Sequence, residues 1–379
     1  MYIFILPISG GGFVSQLAIL QHLCEANIVP HLSLASSGGN VAAYIAAAAN
    51  WKWSAIERIS RELTQDLFAK PWSNVLSMSY IIGFFKGNVY THGSGISDFL
   101  SKHFTPSSIT KYEIWTGTYN STQQHARLFC NKNKETSILD MECIDKELTR
   151  SMEPVYANGN IEIIAKSGLA SASIPAVVPA QNIDDESHID GGIAGASPLM
   201  IMQEPILNHV KNSKDSLHMI YVNSIDLSSK KSITCYNVVD TWKQATQNLI
   251  LSQAIADRLT AHNLLRCNVN IGEKIYKDEF PCNYQNLMRV KYIQNTIKYS
   301  LLEIYPIYSR TINVVSFSGE DVVNCIRNTF GKCKCRLWWI QAEQPAMDHK
   351  NNNSDIYNIL NECKSETSSH STIYTSEKH

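Results

Sequence analysis

The chain has 379 residues, 44% of them hydrophobic and 18% charged, which is enough to bury a sizeable core in one large domain or two modest ones. Its formal net charge of −1 provides no basic field of the kind that draws proteins to nucleic acid, so a nucleic-acid partner is not expected. The 10 cysteines are dispersed, no Lys or Arg precedes Lys52, and no uninterrupted apolar run reaches the roughly 18 residues of a bilayer span. Reduced thiols, no secretory signal and a cytoplasmic or membrane-peripheral location are the expectations.

In chain order, YIFILPI (2–8) reads as a buried parallel strand that runs into glycines, and FVSQLAILQHLCEAN (13–27) as the helix after it. HLSLA (31–35) is the next predicted strand and NVAAYIAAAAN (40–50) the next predicted helix. Such an opening belongs to a parallel α/β sheet, whose chemistry sits in the loops at the C-terminal ends of its strands. The glycine loop at 9–12 and the serine turn at 35–39 are therefore predicted to be neighbours. SAIERISRELTQDLF (54–68) reads as a helix; EIWTGTY (113–119), ARLFC (126–130), IEIIA (161–165) and SLHMIYVNS (216–224) read as strands. Residues 242–265 form the longest amphipathic helix pattern, and TINVVSF (311–317) is predicted to close the sheet. PWSNVLSMSYIIGFFKGNVY (71–90) is too apolar for one helix stripe and reads either as a core helix or as a flap hinged at Gly83 and Gly87. Residues 344–379 form a polar C-terminal extension, with 365–379 expected to be disordered.

A serine hydroxyl is a weak nucleophile, and a strained strand-to-helix elbow with small flanking residues is one way to expose it. In ASSGG (35–39), Ser37 is flanked at two residues' distance by Ala35 and Gly39, whereas Ser36 would have Leu34 and Gly38. Bulk at Leu34 favours Ser37; the competing reading makes either serine an ordinary N-cap. In SGGGF (9–13), Gly10, Gly11 and Gly12 let backbone N–H groups approach an oxyanion or a phosphate. A dinucleotide fingerprint fails because Ser15 stands at its third glycine. Asp190, followed by Gly191 and Gly192, is a candidate base in a turn without bulk; the alternative is a surface Asp-Gly turn. His209, His218 and His262 keep a Ser–His–Asp α/β-hydrolase open, although only one strand–helix unit and a second strand precede Ser37. His188 shares a strand face with Asp190. Cys325, Cys333 and Cys335 lack the paired spacing of a zinc module, and neither metal nor cofactor is expected.

Taken together, SGGG at 9–12, ASSGG at 35–39, ASASIPAVVPA at 170–180 and DGG at 190–192 resemble the patatin-like phospholipases, over residues 2 to about 330. The resemblance implies a three-layer α/β fold with a mainly parallel central sheet flanked by helices, occupying 1–343. It also implies a phospholipase A-type lipid acyl hydrolase with Ser37 as nucleophile, Asp190 as base and no histidine or cofactor. The oxyanion would be met by N–H groups drawn from Gly10, Gly11, Gly12 and Gly38, with Ala35, Gly39, Gly191 and Gly192 as motif positions. A lipid or acyl ester would be the substrate, reached by transient contact with a membrane surface. Two departures stand out: Val14 and Ser15 replace the family's basic residue and glycine, and Ala35 replaces the elbow's first glycine. They leave room for a catalytically weak or inactive relative that binds lipid or protein.

Overall fold

The computed structural model describes residues 1–72, 78, 82, 88, 90–104, 106–224, 238–267, 274–308, 310–313, 316–341, 358 and 361–362. Its strands are β1 (Tyr2–Leu6), β2 (Leu32–Ala35), β3 (Ala69–Pro71), β4 (Tyr90–His92), β5 (Glu113–Asn120), β6 (His125–Cys130) and β7 (Val155–Tyr156). They continue with β8 (Gln181–Ile183), β9 (Glu186–Asp190), β10 (Leu217–Val222), β11 (Lys274–Pro281), β12 (Tyr299–Pro306) and β13 (Cys333–Gln341). The helices of eight residues or more are α1 (Phe13–Glu25), α2 (Gly38–Ala48), α3 (Trp53–Ser60), α4 (Ile96–His103) and α5 (Ile161–Ser171), then α6 (Gln203–Ser213), α7 (Val238–Arg266), α8 (Tyr284–Thr296) and α9 (Gly319–Thr329).

The main sheet runs β11-β13-β12-β10-β1-β2-β5-β6-β7, with β12, β10, β1, β2 and β5 mutually parallel at its centre. Antiparallel pairs finish it at β5/β6 on one side and at β12/β13 and β13/β11 on the other. This is an α/β fold: a mostly parallel sheet between two helical layers. β1 shows why. Phe4 and Leu6 enter the core beneath α1 and α2, while Ile3 and Ile5 enter the opposite core with Leu264 and Leu265 of α7 and Ile206 of α6. Both faces are buried, so the strand reads as a continuous apolar run rather than an alternating one. Phe4 is fully buried edge-on to Trp51, and its truncation to Ala would cost roughly 3–5 kcal/mol.

One edge of β5 places the site. Residues 113–116 of β5 pair with β2, which ends at Ala35 opposite Thr116. Beyond that point β9 takes over the same edge in antiparallel sense, with Asp190 opposite Thr118. The chain leaving β2 past Thr116 and the chain leaving β9 past Thr118 therefore converge on the intervening Gly117 of β5.

Three predicted elements differ from the structure. IEIIA (161–165) is the start of α5, capped by Asn160, whose side chain accepts from Glu162 N and Ile163 N. Five apolar residues carry no period that separates a buried strand from a buried helix, and the cap decides. TINVVSF is not a strand at its described residues; β12 and β13 fill that side of the sheet instead. The helix read over 54–68 ends at Ser60, with a single 3-10 turn at Gln65–Leu67. Most of 71–90, including Phe84 and Phe85, and the tail 365–379 lie outside the described residues. Among the described residues no helix is long and apolar enough to cross a membrane, and every cysteine is free.

Candidate active site

Ser37 stands between β2 and α2 with φ 52° and ψ −128°, a conformation in which an L residue is strained. The turn is over-determined by its neighbours. Ser36 N donates to Leu6 O at 3.1 Å, and Ser37 N donates at 2.9 Å to Ser171 Oγ, which itself donates to Gly117 O at 2.8 Å. Gly38 and Gly39 are forced by contact: a Cβ on Gly38 would collide with Gly10 O and Ser9 Oγ, and one on Gly39 with Leu6 O and Pro7 O. Ala35, by contrast, is fully buried with its methyl in the core beneath α2. Ser37 occupies the N-cap position of α2, yet its side chain makes no capping bond. The simple N-cap reading thus fails for Ser37.

Asp190, the last residue of β9, is fully buried. Its N–H donates to Ser173 O at 3.1 Å, and its Oδ1 accepts from Gly192 N at 2.8 Å. Oδ2 has no hydrogen-bond partner among the described residues. Burial pushes this carboxyl up to about 7, against the smaller opposing pull of the Ser37 hydroxyl and the N–H groups of Gly192 and Ile193. Ser37 is thus near enough to act on the carboxyl electrostatically without a formed bond to Oδ2. Gly191 packs directly on the backbone of Gly117 in β5. An exposed Asp-Gly turn is excluded.

Gly10–Gly12 form a single 3-10 turn in front of α1, with Gly10 at φ 49°. Gly12 departs from expectation: its N–H is donated to Ser9 O at 2.8 Å and is not available to an oxyanion. Phe13 N in turn holds Gly10 O. Among the described residues the N–H groups of Gly10, Gly11 and Gly38 donate no hydrogen bond. Beneath the turn, Ser9 Oγ donates to Gln16 Oε1 at 2.8 Å, and Gln16 Nε2 donates to Pro7 O and Val222 O. Gln16, Ser9 and Ser171 carry no motif signal; only the folded chain brings them to the turns.

Ser37, Gly10 and Gly38 open into an apolar pocket whose walls include Phe13, Val41, Phe68, Ile174, Val177 and Phe317. A second apolar pocket shares Val41 and Phe68 with it and is lined further on by Leu63, Phe99 and Leu100. Phe317, in the segment read as a strand, is a pocket wall that sequence reasoning missed.

The histidines lie elsewhere. His218 bonds Ser300 at 2.9 Å at the N-terminal end of the sheet, opposite Tyr2, whereas Ser37 is beyond the C-terminal ends. His262 bonds Glu303 and His209 pairs with Asp215. His188 is held by Thr118 Oγ1 at 3.2 Å; burial, with Arg127 adding to it, pushes it down to about 4. Among the described residues no group of three His, Cys, Asp or Glu side chains is arranged to hold a metal ion.

The family model of the patatin-like phospholipases matches residues 6–202, more than half of the chain and all of the elbow, the glycine turn and the Asp190 turn. The chain belongs to the patatin-like phospholipase family. Membership places it in a family of lipid acyl hydrolases. The patatin-like match ends before α6, so β10 to β13 lie outside it although all four are strands of the main sheet. A search of the curated proteins found no match.

Proposed function

We propose that the protein hydrolyses carboxylic esters of lipids, in the manner of a phospholipase A, through an acyl intermediate on Ser37 with Asp190 as base. The observation that carries this reading is the juxtaposition of a strained, uncapped serine with a buried carboxyl whose Oδ2 is unpartnered. A base with a pKa near 7 accepts a proton at neutral pH, which an ordinary aspartate does poorly.

Asp190 takes the hydroxyl proton as Ser37 Oγ bonds to the ester carbon. The carbonyl electron pair moves to oxygen, where the free N–H groups of Gly10, Gly11 and Gly38 meet it, helped by the positive end of α2. Collapse breaks the ester bond, and the leaving alkoxide takes the proton from Asp190. A water then gives a proton to Asp190 and attacks the acyl carbon, and Ser37 Oγ leaves and recovers its proton. The two apolar pockets suit an acyl chain, and their polar lining is too sparse for a sugar or a peptide. A lipid aggregate or membrane surface is the form in which such a substrate would be met.

A second reading, a non-catalytic lipid- or protein-binding relative, is favoured by Val14 and Ser15 in place of a basic residue and glycine. Incubation with phospholipids, lysophospholipids, neutral lipids and short acyl esters separates the two. Release of fatty acid, lost in Ser37→Ala, supports hydrolysis; binding of these lipids without release supports the second.

A further inference from the structure

Where the family's glycine turn continues with a basic residue and glycine, this chain has Val14 and Ser15, and Ser15 is fully buried in the first turn of α1. Its hydroxyl donates to Arg310 O at 2.8 Å and accepts from Arg310 N at 3.3 Å, engaging both backbone groups of one residue more than a hundred positions beyond the family match. Two residues further on, Ile312 N donates to Gly11 O at 3.1 Å. Phe317, at the end of the same segment, packs edge-on against Phe13 at 6.5 Å and lines the pocket above Ser37.

The Ile312 bond closes on a peptide already held at its other end. Gly11 C=O and Gly12 N–H belong to the same planar unit, and each end is now held, by Ile312 N–H and by Ser9 O. The preceding unit is held at Gly10 O by Phe13 N–H, so its trans geometry turns Gly11 N–H the opposite way. Three consecutive glycines have the largest backbone freedom of any tripeptide, and a donor that wanders loses its value to a developing charge. We propose that Ser15 and the 310–312 segment form a clamp that positions the glycine turn's N–H donors, a backbone device in place of the missing basic residue. The clamp rests on the hydrolase reading above. Ser15 is a positioning residue: it touches no substrate and acts through Arg310, Ile312 and Gly11.

The test is steady-state kinetics on a soluble short-chain acyl ester with the full chain. Ser15→Ala is expected to lower kcat by roughly 10–100-fold, the scale of a misplaced catalytic group, with KM within about twofold and Ser37 still labelled by a fluorophosphonate, only more slowly. Ser15→Thr, which keeps the hydroxyl, restores the rate. Arg310→Ala leaves it near wild type, since Arg310 enters through its backbone alone. Ile312→Pro, which deletes the donor to Gly11, repeats the loss of kcat and stands in if Ser15→Ala does not fold. Wild-type kcat in either Ser15→Ala or Ile312→Pro overturns the clamp. So does a loss in Arg310→Ala equal to that in Ser15→Ala, or a loss confined to KM. A wild-type protein that neither turns over ester nor labels at Ser37 overturns the hydrolase reading itself, and the clamp with it.

Discussion

Two buried aspartates titrate near neutrality in the folded molecule. Asp190 and Asp257 are both pushed up to about 7 by burial, Asp257 against hydrogen bonds from Ser197 and Gln253. A carboxyl whose folded pKa is raised keeps its proton longer in the folded than in the unfolded chain. The stability it contributes is therefore complete below about pH 4 and lost as pH rises through about 7. Asp190→Asn removes that penalty, so at pH 8 it is expected to stabilise the protein by roughly 2–4 kcal/mol while lowering turnover about 10²–10⁴-fold. Thermal melts at pH 5 and pH 8 measure the first effect, and Asp184→Asn serves as the exposed control. Asp257→Asn is expected to give the same pH-dependent stabilisation with turnover retained, because Asp257 bonds Gln253 and Ser197 rather than Ser37. At this scale the strained turn at Ser37 was legible because the steric demand of an elbow excludes Leu34 at its flank, and the turn at buried Asp190 because two glycines follow it. The occupied N–H of Gly12 was not, since a three-residue 3-10 turn leaves no mark on a run of glycines.

Elements were legible where period and caps agreed. β1, β2, α1 and α2 follow from apolar runs separated by glycine turns, and β5 and β6 from a polar hairpin between two strand patterns. β13 was missed although Cys333, Cys335, Leu337 and Trp339 alternate inward, because Lys334 and Arg336 break the apolar run. The elbow offers a sharper test of element-level packing. Gly39→Ala drives a methyl into the backbone of β1 and is expected to lower the melting temperature strongly and abolish activity. Ala35→Gly, which restores the family pattern, is expected to leave activity close to wild type. Calorimetry together with ester turnover checks both; a well-folded, active Gly39→Ala would refute the close approach of α2 to β1.

At the scale of the whole molecule, the second half of the chain completes the first. β10 pairs with β1 along Tyr2 to Ile5, Val222 O receives Gln16, Ile312 reaches the glycine turn and Phe317 the pocket wall. A fragment ending at Met202 would keep every motif residue yet expose the β1 edge and the apolar face that α7 covers. It is expected to be insoluble, or to lack the near-ultraviolet circular dichroism of a packed core; a folded, active 1–202 fragment would contradict this. Motifs recorded the chemistry-bearing turns, but nothing local in the sequence records that distant strands must cover them.

The central claim is that Ser37 is the nucleophile and Asp190 its base, and the most direct measurement is the rate of fluorophosphonate labelling against pH, with the modified residue mapped by peptide sequencing. The expected result is one label per chain, on Ser37, with a rate that rises with pH to a plateau above about 7 and collapses in Asp190→Asn. A label on Ser36 or another serine, no label on a preparation that hydrolyses ester, or an unchanged rate in Asp190→Asn would contradict it.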